Sequence, residues 1–302
     1  MNDNARRPAH HGACGCACTR HGRRTFTAAV AAAALSPPAA VQAAMSECTR
    51  SAATRLVPAR AVEDSAAQQY LSLLREAKGQ RALAAPENAQ LQRLRYIAQR
   101  MIPLAAECNG RARQWRWEVN LLGSPQLNAL CMPGGKIAFF SGILSQLQLS
   151  DDEVAVVMGH EIGHALLEHA RERLAKGTGT QLLLRGGAAL LGLGQLGDMA
   201  AQYGSELLSL KFSRDDESQA DALGLALAAR AGYDPRAGVS LWRKMEAATH
   251  GRAPPQWLST HPAGPTRIKD IEARLPAVLP LYESASRPER RFAPPRVGAG
   301  AG

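Results

Sequence analysis

The run GHEIGHALLEH, Gly159 to His169, holds three histidines and two glutamates within an otherwise apolar pattern. On a helix, His160 and His164 stand four positions apart and project from one face over a single turn. Two neutral imidazoles so placed supply half of a tetrahedral zinc site. Glu161 falls beside that pair and not in it, where a carboxylate can take a proton from a water that the metal polarises. His169 lies further along. On an unbroken helix it would sit about 180° around from His160 at 100° per residue, and LLEHARER shows no glycine to turn the chain. It is expected on the opposite face, at the surface or behind the ligands.

A catalytic zinc takes three protein ligands and keeps one position open. SRDDESQAD (Ser213 to Asp221) offers the third: Glu217 on a helix, with Asp221 one turn on to hold the other ring nitrogen of a histidine ligand. Ala220 and Gly224 are small enough to let that helix approach another closely. Asp215 and Asp216 fall off this stripe and suit a solvated, acidic helix start. His261, in STHP, has two candidate roles. It can donate a hydrogen bond to the oxyanion formed when a peptide carbonyl is attacked, or enter as a fourth ligand and close the site. Arg267 is placed to pair with Asp221 or another buried carboxylate.

These side chains need elements to carry them. SDDE (Ser150 to Glu153) is a capping box and predicts a helix from Asp151 to about Leu174. Leucines and isoleucine at helical spacing predict helices across 60–106, and FSRDDESQADALGLALAARAGY predicts another from Phe212 to Tyr233 with Gly232 near its stop. WRWEVNLL (Trp115 to Leu122) alternates apolar and polar residues as a half-buried strand does. NALCMPGGKIAFF follows, with Pro133, Gly134 and Gly135 turning between two short apolar runs, a hairpin signal. On these residues alone, an ordinary packed hairpin is favoured over an edge strand that pairs with an extended peptide. Residues 180–211 read as helical, but their glycines and Arg185 speak against a membrane span, leaving a mobile apolar flap.

The chain has 302 residues, 46% of them hydrophobic, enough for a proper core. Its net charge of +10 is uneven. Residues 1–45 hold five arginines against one aspartate and residues 287–302 four arginines against one glutamate, leaving +3 between them. With the excess gathered at two ends, no nucleic-acid partner is expected. Residues 1–45 read as an export leader: an arginine-rich start with RRTF resembling a twin-arginine signal, an apolar run too short to span a bilayer, and small residues up to Ala43. A mitochondrial transit peptide is the alternative. Cys14, Cys16 and Cys18 would leave with the leader; Cys48, Cys108 and Cys131 allow one disulfide and one free thiol in an unspecified pairing. From Glu283 onward the chain reads as a disordered basic tail, so the domain proper is expected over 46–282.

HEIGH and SRDDESQAD, with NALCMPGGKIAFFSGIL before and STHPAGPTRI after, stand in the order of four blocks of one family. The chain resembles the HExxH zinc metallopeptidases that include HtpX, the CAAX prenyl protease, BepA and LoiP, over roughly residues 60–280. The resemblance implies an α+β, predominantly helical zincin-type (gluzincin) domain with a small β-hairpin or sheet at the cleft. It implies one zinc per chain held by His160, His164 and Glu217, Glu161 as general base, and a strand, here Ile137, Ala138, Phe139 and Phe140, that pairs with substrate at the cleft. The partners implied are unfolded or extended polypeptides of the cell envelope; a dedicated processing protease and a zinc-stabilised binding module are the alternatives. Lacking the long apolar spans of HtpX and the prenyl protease, the chain matches the soluble, exported, LoiP-like branch. Peripheral association with the membrane and oligomeric state stay open.

Overall fold

The computed structural model describes residues 48–184, 207, 210–249, 256–261 and 266–295. The leader, most of the expected flap and the last seven residues lie outside the described residues. The chain order is α1 (Ala59–Gly79), α2 (Ala89–Cys108), β1 (Glu118–Leu122), β2 (Ala129–Met132), β3 (Lys136–Phe140), α3 (Ser141–Gln146), α4 (Asp151–Leu166), α5 (His169–Leu184), α6 (Arg214–Arg230), α7 (Ala237–Thr249), α8 (Gln256–Thr260) and α9 (Arg267–Ser284). No helix among the described residues is long and apolar enough to cross a membrane.

The helices begin where their capping chemistry dictates. The Asn88 side chain accepts from the amides of Gln90 and Leu91 at the start of α2, whose Leu91, Leu94, Ile97, Ala98, Met101 and Ala105 form its buried stripe. Both reciprocal bonds of the capping box form at the start of α4, between Ser150 and Glu153. A second capping box, Ser213 with Asp216, starts α6. This gives Asp216 a specific duty where the sequence suggested only solvated charge. All of α4 except Asp152 is buried, so it is the central rod against which α2, α6, α7 and the sheet pack.

Close approach of α4 and α6 depends on missing side chains. A Cβ added at Gly159 would lie 2.5 Å from the carbonyl oxygen of Gly224, and one at Gly224 would lie 2.6 Å from the His160 amide nitrogen. At Gly163 an added Cβ would meet the Ala220 carbonyl at 3.1 Å. The small-residue stripe read at Ala220 and Gly224 therefore meets a matching one on α4, and backbones touch where side chains would hold them apart.

The sheet has the order β1-β3-β2, with β1 and β3 parallel and β2 and β3 antiparallel, Cys131 opposite Ile137 and Ala129 opposite Phe139. The hairpin forms as expected, with Gly134 and Gly135 at φ 86° and 77°. Its outer strand is not the expected one. Ile137 to Phe140 occupy the middle of the sheet, buried throughout and paired on both sides, so their backbone has nothing left to offer a peptide. Among the described residues, the strand beside α4 with an unpaired edge is β2 instead.

Two expectations about the zinc helix and the tail also change. The helix does not run on to Leu174: α4 ends at Leu166, Glu168 takes φ 60°, and α5 starts at His169. Asn109, from the end of α2, fixes that corner by donating its side-chain amide to the Leu166 carbonyl at 2.9 Å and to Glu168 Oε1 at 3.2 Å. The segment after α9 is ordered to Pro295. Arg291 pairs with Asp152 at 2.8 Å, and the Phe292 amide donates to Asp151 Oδ2 at 2.8 Å. Cys48 and Cys108 form the disulfide, leaving Cys131 free and buried.

Candidate metal centre

Four donors converge where α4, α6 and the start of the α8–α9 connection meet. His160 Nε2 and His164 Nε2 lie 3.0 Å apart. Glu217 Oε1 is 3.4 Å from His164 Nε2 and Glu217 Oε2 is 3.4 Å from His160 Nε2. His261 Nδ1 stands 3.0 Å from Glu217 Oε1 and 3.3 Å from His160 Nε2. One ligand atom from each of the four residues falls within 4.8 Å of the others. The helical spacing read from the sequence puts both imidazoles on one face, and the Gly159–Gly224 contact brings Glu217 up to them.

The surroundings orient these groups. Asp221 Oδ1 accepts from His160 Nδ1 at 2.9 Å, which turns Nε2 inward toward His164 and Glu217. Arg267 straddles both carboxylates of α6, donating from Nη1 to Glu217 Oε2 at 2.7 Å and from Nη2 to Asp221 Oδ1 at 2.8 Å. Its guanidinium rests 3.8 Å over the Trp242 ring. Trp257 Nε1 donates to Glu161 Oε1 at 2.7 Å and holds that carboxylate beside the cluster. His261 Nε2 lies 3.6 Å from the same oxygen. The Phe212 ring stacks on His164 with centroids 4.0 Å apart.

Burial makes the charge balance informative. His160, Glu161, His164, Glu217 and His261 are each 2–4% exposed, and isolated charges so buried are costly. Burial works to raise the Glu217 pKa, but hydrogen bonds from His160, His164 and His261 outweigh it and hold the carboxyl well below its usual range. Burial likewise opposes ionisation of Asp221, and Arg267 and His160 overcome it. Burial also works against a charge on His160, yet Asp221 and Glu217 push its pKa up to about 9. The position favours a cation. The carboxyl groups of Glu161, Glu217 and Asp221 share this space with the guanidinium of Arg267, an oxygen-rich setting that suits a divalent ion held among nitrogen and oxygen donors. The donor set fits zinc.

Glu161, His164 and His261 stand on the wall of a cleft of about 430 Å³, lined also by β2 (Ala129 to Met132), Leu73, Leu122, Phe140 and Leu207. A family model described as peptidase family M48 matches residues 88–275, which span the zinc helix, the Glu217 helix and His261. The chain belongs to peptidase family M48. The mitochondrial metalloendopeptidase OMA1 of Arabidopsis thaliana is 40% identical over 153 residues, 51% of this chain and 30% of that protein. The human mitochondrial metalloendopeptidase OMA1 is 31% identical over 221 residues, 67% and 41% of the respective chains. The β-barrel assembly-enhancing protease of Yersinia pestis is 28% identical over 189 residues, 59% and 38%. The chain thus spans less than half the length of each of these three relatives.

Within this M48 domain, the structure brings together His160, Glu161, His164, Glu217, Asp221, His261 and Arg267, all singled out from the sequence. It pairs the backbone of Ile137 to Phe140 on both sides, away from any sheet edge, although Phe140 is among the residues that line the cleft. For His169 it overturns the expected opposite face and bears out the placement behind His164: the corner at Glu168 returns this residue to the site, buried, with Nδ1 2.9 Å from His164 Nδ1. Trp257 was not legible as a site residue. Its one signal is spacing, four residues before His261, whose amide bonds the Trp257 carbonyl at 2.8 Å.

Proposed function

We propose that this protein is an exported zinc-dependent endopeptidase that cleaves unfolded or misassembled polypeptides of the cell envelope. The observation that carries the reading is a buried carboxyl group, Glu161, held by Trp257 against a cluster of histidine and glutamate donors beside a cleft. A structural site has no use for that carboxylate. His160, His164 and Glu217 would hold the zinc, with His261 as the fourth donor in the present conformation. Zinc there supplies Lewis acidity, which lowers the pKa of a water and polarises a carbonyl.

The chain's own groups do the rest. Glu161 accepts the proton of the attacking water and passes it to the departing amine. The Trp257 N–H keeps one oxygen of Glu161 fixed and so holds the carboxylate beside the donors. Asp221 and Arg267 keep His160 and Glu217 in place against the pull of a substrate. The free edge of β2 pairs with the substrate backbone. In the β2–β3 ladder the Phe140 amide bonds the Asn128 carbonyl, so Leu130 and Met132 face β3 and Ala129 and Cys131 face outward. Main-chain pairing reads extension and not side-chain identity, which suits unfolded substrates.

The Cys48–Cys108 disulfide supports an oxidising compartment, as does the twin-arginine-like leader. Names of relatives support both settings raised by the sequence, the mitochondrion for OMA1 and β-barrel assembly for the Yersinia protein; the leader favours the periplasm. The test is digestion of a reduced, unfolded protein beside its native form. Cleavage of the unfolded form alone, stopped by a chelator and restored by one equivalent of zinc, is expected. Cleavage that persists without metal would overturn the reading.

A further inference from the structure

His169 makes its one geometric hydrogen-bond contact among the described residues with His164, and that contact is built with unusual effort. On an unbroken helix a residue five positions past His164 would point about 140° away from it, at 100° per residue. Instead Glu168 adopts φ 60°, a conformation that costs a non-glycine residue energy. Asn109 and Arg171 hold it there: Asn109 through the Leu166 carbonyl and Glu168 Oε1, Arg171 through Glu168 Oε2 at 2.5 Å and the Val57 carbonyl at 2.5 Å. The result is a His169 ring 1% exposed, its Nδ1 2.9 Å from His164 Nδ1, the two rings edge to face at 73°.

Two ring nitrogens at that distance require one proton between them, because neither two lone pairs nor two N–H groups would be attractive. His164 Nε2 faces His160 Nε2 and Glu217 Oε1, so it must offer a lone pair there to bind a cation, which puts its proton on Nδ1. The acceptor is then His169 Nδ1. His169 Nε2 carries the other proton and is buried with no partner in full hydrogen-bond geometry among the described residues, the Gln219 side chain being the polar group that interacts with the ring. We infer that His169 is a positioning residue that fixes the tautomer and ring orientation of His164 as a zinc ligand, the counterpart of Asp221 for His160. The choice of acceptor has a physical reason. Glu161, Glu217 and Asp221 already place three carboxyl groups in this buried space, and a neutral imidazole orients His164 without adding another beside them.

This inference rests on the cluster being a zinc site, and the experiment separates the two claims. Zinc affinity of the full chain is measured by competition with a chromophoric chelator for wild type, His169→Leu and His169→Asn, together with the visible spectrum of each cobalt-loaded form. Leu keeps the volume and removes the acceptor; Asn places an acceptor oxygen where Nδ1 stands. His169→Leu should bind zinc roughly 10- to 100-fold more weakly, the range for loss of an orienting partner, with a shifted cobalt spectrum. His169→Asn should stay close to wild type in both. Equal affinity in His169→Leu, or an Asn variant as weak as Leu while both melt like wild type without metal, would overturn the role. A wild-type chain that binds no zinc would instead overturn the metal site itself.

Discussion

His261 sets how many donors face the metal position, because its Nδ1 lies 3.0 Å from Glu217 and 3.3 Å from His160 Nε2 while its Nε2 turns toward Glu161. The sequence left it as oxyanion donor or closing ligand; in this conformation it stands among the ligands. His261→Ala should therefore bind zinc less tightly, by at least the tenfold or so that losing an orienting partner costs, and should cleave faster or digest itself as the coordination position opens. Slower cleavage with unchanged zinc affinity, by turnover assay and chelator competition, would assign it to the oxyanion instead. At this scale the sequence was most legible. Spacings of four residues place His160 with His164 and Glu217 with Asp221 by helix geometry alone. Trp257 was hidden because an indole in an apolar run reads equally well as core, and its bond to Glu161 spans 96 residues of chain.

The crossing of α4 and α6 positions two proposed ligands from one helix against one from the other, and it has no room for a methyl group. Gly224→Ala would place a Cβ 2.6 Å from the His160 amide. Overpacking of this kind costs about 1–3 kcal/mol, and because the strain falls on the ligand's own backbone, zinc affinity should drop as well. Thermal unfolding of metal-free protein and zinc titration measure the two; an unchanged midpoint with full affinity would show that the helices separate without harm. At the sheet, Cys131→Pro removes an outward amide from the β2 edge without breaking a β3 bond. Turnover of long unfolded substrates should fall severalfold while zinc stays bound. Unchanged turnover in a folded variant would move substrate pairing elsewhere. Element types were legible from period and capping, whereas two features were not. The break after Leu166 depends on Asn109, 57 residues away, and a hairpin pattern does not state on which side β1 joins, so the central strand was taken for the edge.

On the scale of the molecule, segments far apart in sequence converge on α4. Its N-terminal end receives Arg93 on Asp151 at 2.6 Å and the C-terminal segment through Arg291 and Phe292; its C-terminal end carries the donors. Polar contacts, more than apolar area, dock that last segment, which is why its arginine-rich, proline-rich composition read as disorder. Two ends of the chain give the basic excess, and the middle that remains builds a cleft with a buried, cation-favouring cluster on its wall. The central claim is that this cluster binds zinc for catalysis, with Glu161 as the base. It is tested most directly by comparing wild type and Glu161→Gln on an unfolded protein substrate, with bound zinc measured in the same samples. Both proteins should carry about one zinc per chain, as the donor set requires, and the variant should lose roughly a hundredfold or more in cleavage rate. A fully zinc-loaded Glu161→Gln that cleaves as fast as wild type would contradict it.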